Sequence, residues 1–491
     1  MTASPSTYNA ERGGAIFTVF LLCSFVGILA AGTFAFTLIS HAAPWSPSFY
    51  EKDPPIIEWV QEPLGIGADQ APVKLKVSDS GAGLDEVLVR ISQRNRPHEL
   101  VKRKSGNETV RTQNIDLTID AKALALREGK AELEVLAFDR TLWSNGTKVT
   151  LPLPVDFAKP RIDVITPQQN GVEGGVELVF YKVVGKRPDQ QGVEQNSELY
   201  PGYPAALWND SFKHYEDLYF SFYPIPIGFN DETHKMKLTA RDTIGNLAIA
   251  PFNYRVKKRR FAAHTTPLDL ARITSIATRL AAFIHKNGLK TSAPIEAQSA
   301  VSPSQVKELI ATAKTFDEAT LSDPWTSGDG KRYWSTSFGR PVTTLPSSTM
   351  GEERSIVYDG VALTSGHAPG VRFGVSTRQT VSSTNAGRVA FVGELGTYGT
   401  TVVLDHGFGL TTTYAHLSEA SVKLGQEVPQ GASIGRTGDT GLALSEEVYY
   451  ETRLHGVPVS PNEWWDSTWI EDHIQKKVSF VQGTLIGNPG E

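Results

Sequence analysis

Four short phrases in the C-terminal part of the chain decide its fold. They read Asn385-Ala-Gly-Arg-Val-Ala-Phe-Val-Gly393, Tyr398-Gly-Thr-Thr-Val-Val-Leu-Asp-His-Gly-Phe-Gly409, Tyr414-Ala-His-Leu417 and Gly431-Ala-Ser-Ile-Gly-Arg-Thr-Gly-Asp-Thr-Gly441. Glycine at turn positions supplies the positive φ that tight hairpins need, and the apolar and β-branched runs between the glycines are typical of strands. The phrases therefore predict a small, mainly antiparallel β domain with an open groove.

The same phrases resemble the lysostaphin (LytM-like) zinc metalloendopeptidases, which cut peptidoglycan. Phe338-Gly-Arg-Pro341 and Tyr358-Asp-Gly360 resemble the entry strands of that family. The likeness covers residues 334–465, about a quarter of the chain. We place the LytM-like domain at residues 323–470.

The resemblance also identifies positions at which the family's zinc chemistry has been replaced. An active member is expected to carry His-x-Gly-x-Asp and His-x-His, but here the two phrases read His367-Ala-Pro-Gly-Val-Arg372 and Glu447-Val-Tyr449. By resemblance the metal positions are His367, Arg372 and Tyr449, and the catalytic histidine positions are His416 and Glu447. A guanidinium cannot ligate a cation, and a phenol has an ordinary pKa of about 10. The resemblance therefore implies an inactive domain that needs no cofactor.

An alternative keeps the domain an enzyme. His367, His416 and Glu447 would form a rebuilt zinc site of two imidazoles and one carboxylate, a donor set that zinc accepts. The chain would then be an atypical zinc metalloendopeptidase that cleaves peptidoglycan crosslinks. In the inactive reading, Arg372 fills the vacated metal space, pairs with Glu447 or Glu451 and packs beside Tyr449.

Family members that lack zinc ligands are typically regulators of cell-wall amidases or wall-binding scaffolds. The resemblance therefore implies peptidoglycan or a cell-wall hydrolase as the partner. We expect the ligand to contact the groove at Arg372, His416, Glu447, Tyr449 and Tyr450. A third hypothesis is a structural envelope tether that has no groove ligand.

Length, net charge and cysteine content limit the number of domains, the kind of partner and the disulfides that this chain can have. A chain of 491 residues is too long for one core, and its formal net charge of -5 comes with no basic stripe for nucleic acid. Cys23 is the single cysteine, so no internal disulfide can form.

The N-terminal segment predicts a membrane anchor. Residues 13–50 contain no Asp, Glu, Lys or Arg, and a helix of about 20 apolar residues spans a bilayer. We assign residues 1–13 to a cytoplasmic tail and 14–39 to a transmembrane helix. A cleaved signal peptide is the alternative, but its apolar region would be shorter, about 7–15 residues. The expected location is the inner membrane, in a single pass, with the later domains on the periplasmic side.

Two copies of one β module are predicted between the anchor and the helical region. Each copy opens with Pro and an alternating strand, and each ends in Ala-x-Asp followed by turn residues, at Asp139 and at Asp242. A period near a hundred residues with short strands resembles immunoglobulin-like sandwiches. We place these modules at residues 54–157 and 158–256.

Helical periodicity begins after the basic run at residues 257–260. Apolar residues share one face of a first helix that ends at Gly288, and a second helix follows from Pro303 to about Lys314. We treat residues 257–322 as a helical linker region and 471–491 as a C-terminal tail. His406 is expected to be a turn histidine satisfied by hydrogen bonds, and Glu451 and His455 to be exposed. The predicted fold is mainly β: a transmembrane helix, two immunoglobulin-like modules, a short helical linker and the LytM-like domain.

Overall fold

The computed structural model describes residues 52–141, 143–291, 302–322 and 330–486. The predicted cytoplasmic tail and transmembrane helix lie outside these ranges. None of the helices in these ranges combines the length and the apolar composition that a bilayer-spanning segment needs. The described chain is mainly β and divides after Phe157 into two compact units.

The first unit is a β-sandwich of seven strands. One sheet has the order β1-β2-β5 and the other β4-β3-β6-β7. Alternation along β2 buries Val73, Leu75 and Val77 between the sheets and exposes Lys74. The strands are β1 (Ile56–Gln61), β2 (Ala71–Ser78), β3 (Leu84–Gln93), β4 (Arg96–Lys104), β5 (Thr112–Ile119), β6 (Gly129–Asp139) and β7 (Gly146–Val155).

The second unit begins with another β module. Its two four-stranded sheets have the orders β13-β14-β10-β8 and β12-β11-β15-β16, and β17 pairs with β9 in parallel. The strands are β8 (Arg161–Val164), β9 (Gln169–Val172), β10 (Val176–Val184), β11 (Pro188–Gln195), β12 (Glu198–Pro201), β13 (Tyr203–Pro204), β14 (Leu218–Pro224), β15 (Met236–Asp242), β16 (Leu247–Pro251) and β17 (Tyr254–Lys257).

The two modules close with the same hydrogen-bonded turn. The Asp139 carboxylate accepts from the backbone N–H of Asn145 at 2.8 Å and from its side-chain amide at 2.9 Å. The Asp242 carboxylate accepts from the same two groups of Asn246, at 2.8 and 3.0 Å. The shared turn supports the predicted repeat, while the immunoglobulin-like assignment stays a prediction.

The helical region is more than a linker. It contributes β18 (Ala263–Pro267), which pairs in parallel with β19 (Glu353–Tyr358) of the C-terminal domain. Helix α1 (Leu270–Lys286) buries the predicted apolar face from Ile273 onward, although Leu270 itself is exposed. Helix α2 (Pro303–Leu321) begins with a Ser302 capping box and runs beyond the predicted end at Lys314.

The C-terminal domain is built on one large antiparallel sheet. The sheet has the order β21-β29-β25-β24-β23-β27, with β30 paired to β29, and a second sheet has the order β22-β28-β26. The strands after β19 are β20 (Val361–His367), β21 (Val371–Gly374), β22 (Thr380–Ser382), β23 (Gly387–Leu395), β24 (Gly399–Gly407), β25 (Leu410–Leu417), β26 (Glu419–Ala420), β27 (Glu427–Val428), β28 (Ser433–Arg436), β29 (Glu447–Leu454) and β30 (Val457–Val459).

Helices follow β30, and those from Glu471 onward lie where the C-terminal tail was predicted. They are α3 (Pro461–Trp465), α4 (Ser467–Ile470), a π-helical turn (Glu471–Gln475) and α5 (Lys476–Ile486). Ile474, Val478 and Val481 are buried in a core that the second module and the C-terminal domain share. Residues 471–486 of the predicted C-terminal tail therefore form helices whose apolar residues complete this core.

That shared core is aromatic. Phe220 of the second module meets Phe408 of the C-terminal domain at a centroid distance of 4.9 Å, and Trp208 meets Trp334 at 5.6 Å. The backbone N–H of Val176 also donates to the Glu463 carboxylate at 2.8 Å. The second module is therefore packed onto the domain that carries the candidate site.

Candidate functional site

Strand β29 carries the candidate site on one of its two faces. Successive side chains of a strand point to opposite faces, so Glu447, Tyr449 and Glu451 share a face that Tyr450 does not. In the antiparallel pairing with β21, Arg372 lies directly opposite Tyr449. This register brings a cation, a carboxylate and a phenol together from two phrases far apart in sequence.

Arg372 and Glu447 form a mostly buried ion pair. Arg372 Nη1 donates to Glu447 Oε1, and the two side chains are 14% and 4% exposed. The guanidinium lies 5.6 Å from the centre of the Tyr449 ring. The expected pair is thus confirmed with Glu447 as the partner. Burial raises the pKa of the Glu447 carboxyl, and the positive charge of Arg372 opposes that effect.

His416 lies beside the pair in an uncommon backbone conformation. Its Nε2 is 3.8 Å from Glu447 Oε1, and its ring centre is 5.6 Å from that of Tyr449. The φ of His416 is 62°, at a point where the pairing of β24 and β25 shifts register. Burial, and then the Arg372 charge, hold the pKa of His416 well below its usual value. The imidazole is therefore neutral at pH 7.

The two adjacent tyrosines have different environments. Tyr449 lines the cleft, and burial raises the pKa of its phenol. Tyr450 is fully buried in the core of the sheet, stacked on Trp465 at 5.7 Å, with its hydroxyl 3.1 Å from Thr384 Oγ1. The prediction that Tyr450 contacts a groove ligand is wrong, because it points to the opposite face of β29.

His367 lines the cleft but stands apart from the Arg372–Glu447 pair. Its Nδ1 lies 2.9 Å from the Gly351 carbonyl oxygen, and its ring packs against Phe261. A Cβ at Gly370 would lie 2.3 Å from the Tyr450 carbonyl oxygen, so this glycine is fixed by the close approach of β29. Counted back from Gly370, the histidine position of a His-x-Gly-x-Asp motif is Ala368. The spacing therefore favours Ala368 over His367 as the replaced first position.

The residues present do not fit a zinc ion. A divalent cation would have to share its space with the Arg372 guanidinium, which is already bonded to Glu447. Within the described parts of the chain, no group of three or more His, Cys, Asp and Glu side chains could hold a metal. In particular, His367, His416 and Glu447 do not form the rebuilt site. No hydrolytic step is therefore assigned to these side chains.

A cleft of about 140 Å³ opens over Arg372, His416 and Tyr449. Helix α2 forms one wall through Ile310, Lys314 and Glu318, whose four-residue spacing puts them on one helical face. Arg354 of β19 also lines the cleft, as does Tyr398. Sequence reasoning did not identify these lining residues, although the helical spacing was a usable signal.

A second ionic network anchors the wall. Tyr398 Oη and Arg453 Nε each donate to the Glu451 carboxylate at 2.7 Å. Arg453 Nη1 in turn donates to Glu318 of α2 at 3.1 Å. Glu451 is fully buried, so the prediction that it is exposed is wrong. The Asp317 carboxylate adds a bond from the Gly396 N–H at 2.7 Å.

His406 confirms the expectation of a structural histidine, although it lies in β24. Its Nδ1 donates to the Ala386 carbonyl oxygen at 2.7 Å, and its Nε2 is 2.8 Å from Thr412 Oγ1. Burial lowers the pKa of His406 to about 4.

This pKa predicts acid lability. Between about pH 6.5 and pH 4 the unfolded chain binds a proton at His406 that the folded chain does not, which costs about 3 kcal/mol of stability. The urea midpoint of the second unit should therefore fall as pH drops through this window. The decline should be shallower in His406→Gln. A profile with the same slope in both proteins would contradict this assignment.

A family model described as Peptidase family M23 matches residues 366–461. The DD-carboxypeptidase/endopeptidase Mpg of Neisseria meningitidis serogroup B is 36% identical over 92 residues, covering 19% of this chain and 21% of that protein. The cell division protein DipM of Caulobacter vibrioides is 30% identical over 152 residues, 31% of this chain and 22% of that protein. The chain spans about a fifth of the length of the curated relatives it matches.

The catalytic domain of the antimicrobial peptidase lysostaphin from Staphylococcus simulans is 21% identical, with a TM-score of 0.19, and the match covers 27% of this chain and 90% of that domain.

Proposed function

Because the C-terminal domain of this chain belongs to peptidase family M23, we propose that the protein acts at the bacterial cell wall without hydrolysing it. Its groove binds peptidoglycan, or a wall hydrolase that the protein regulates in the manner of an amidase activator. The observation that carries this proposal is the Arg372–Glu447 pair at the family's metal position. Metal-dependent hydrolysis needs a metal ion that binds and activates water. The Arg372 guanidinium carries a positive charge but cannot coordinate a water molecule in this way.

The same charge suits binding. A guanidinium meets a carboxylate through two parallel N–H donors, whereas Tyr449 offers a ring face and a hydroxyl beside it. Stem peptides of peptidoglycan carry free carboxylates, so the replaced metal site remains complementary to the family's substrate class. The relative Mpg is named a DD-carboxypeptidase/endopeptidase.

The proposal includes the placement of the chain. Residues 14–39 anchor it in the inner membrane, and the immunoglobulin-like modules and the M23 domain lie on the periplasmic side. The uncharged stretch at residues 13–50 and the wall-type domain together support this arrangement. Recovery of the chain from the soluble cytoplasmic fraction would contradict it.

Two binding experiments test the function. The full chain should co-sediment with purified sacculi, or retain an envelope amidase in a pull-down. Arg372→Ala should weaken that binding, and Arg388→Ala, which changes an exposed arginine of β23, should not. Retention in neither experiment would favour the structural tether.

A further inference from the structure

We infer that the cleft between α2 and β20 binds the free carboxylate end of a stem peptide, with Arg372 as the carboxylate's partner. This inference rests on the proposed function and names the part of the wall that the groove recognises.

The Arg372 guanidinium has an N–H donor that is free to bind a ligand. Its Nη1 is bonded to Glu447, but its buried Nε has no hydrogen-bond partner among the described residues. A buried donor without a partner is unfavourable, so a ligand that accepts a hydrogen bond from it removes that penalty. A carboxylate suits the planar guanidinium because it accepts through two oxygens at once.

The charges around the cleft favour an anion. Lys314 is an exposed cation on the α2 wall, and Arg354 adds a second guanidinium, bonded to Glu352 at 2.9 and 3.0 Å. The acid on the same wall, Glu318, is paired with Arg453. An incoming carboxylate therefore meets cations whose charges are only partly compensated.

The size of the cleft favours a chain end. Its volume of about 140 Å³ is below the roughly 300–1,000 Å³ of pockets that hold drug-sized ligands. Helix α2, which forms one wall of the cleft, is held in place by the hydrogen bonds of Asp317 and Glu318. Ile310, Ile356 and Leu442 supply apolar lining for a small aliphatic side chain. A terminal alanine with a free carboxylate matches this combination.

Titration calorimetry with the full chain tests the inference. The probes are N-acetyl-D-alanyl-D-alanine, its C-terminal amide, and N-acetyl-L-alanyl-L-alanine. The free D-acid should bind about tenfold or more tightly than the amide, since a hydrogen bond between a guanidinium and a charged carboxylate is stronger than one to a neutral amide. Arg372→Lys keeps a positive charge beside Glu447 but lacks the two parallel N–H donors of a guanidinium. This substitution should therefore reduce binding of the acid by a similar factor. Arg388→Ala should bind as the parent does.

Three outcomes would overturn the inference. They are equal binding of acid and amide, unchanged binding in Arg372→Lys, and preference for the L-peptide, which would point to a protein C-terminus. Retention on sacculi alongside any of these results leaves the proposed function standing and removes only the carboxylate claim. Loss of both dipeptide binding and sacculus or amidase retention removes both.

Discussion

Arg372→Ala is expected to destabilise the second unit by about 3–5 kcal/mol, because it leaves the Glu447 carboxylate buried without its cation. The exposed Arg388 provides the matched control, and its substitution should change stability by less than about 1 kcal/mol. Urea unfolding of the full chain, followed by tryptophan fluorescence, measures both.

The pH dependence distinguishes a lost ion pair from lost packing. Burial raises the pKa of Glu447, and without Arg372 nothing in the pair opposes that rise. A raised folded-state pKa means that stability is lost as pH increases, so the defect of Arg372→Ala should grow from pH 5 to pH 8. In Arg372→Ala/Glu447→Ala the defect should not grow with pH, because the carboxyl group whose pKa is raised is absent. A defect that is equal at both pH values in the single variant would contradict the ion-pair account.

Zinc binding is expected to appear when the family's ligands are restored. The variant Ala368→His/Arg372→Asp/Glu447→His/Tyr449→His places His, Asp and His at the three metal positions and removes the guanidinium. Positions 372 and 449 already face each other across β21 and β29, and a catalytic zinc site needs three protein ligands. Apparent zinc binding energies reach about 10–16 kcal/mol in structural sites, so a restored site should survive dialysis and give one zinc per chain by mass spectrometry.

A matched triple variant tests the register of the first ligand. Arg372→Asp/Glu447→His/Tyr449→His leaves Ala368 in place and offers only the native His367. It should bind zinc much more weakly than the quadruple variant. Equal binding by the two variants would show that His367 supplies the ligand and that counting from Gly370 is misleading.

The sequence predicted features that depend on local chemistry. Glycine phrases and alternating strands marked the C-terminal sheet, the 3.6-residue period marked α1, and Ser302 marked the start of α2. The Arg372–Glu447 pair was also predictable, since by resemblance a cation replaces a metal ligand and an anion replaces a catalytic histidine of the same site.

Features set by distant packing were not predictable. Strand β29 is buried on both faces, so its sequence shows no alternation of apolar and polar residues that would indicate which face lines the cleft. For this reason Tyr450 was wrongly assigned to the groove. The sequence suggested that Glu451 is exposed because it is charged, but in the folded protein it is buried and hydrogen-bonded by Arg453 and Tyr398. Likewise, β18 reads as linker because its partner β19 lies beyond both helices in sequence.

The central claim is that Arg372 occupies the position of the metal. It is tested most directly by the zinc content of the purified full chain, measured by mass spectrometry after dialysis against buffer without chelator. We predict far less than one zinc per chain, with no change in His416→Ala. One zinc per chain that is lost in His367→Ala or His416→Ala would contradict the claim and favour a working zinc peptidase.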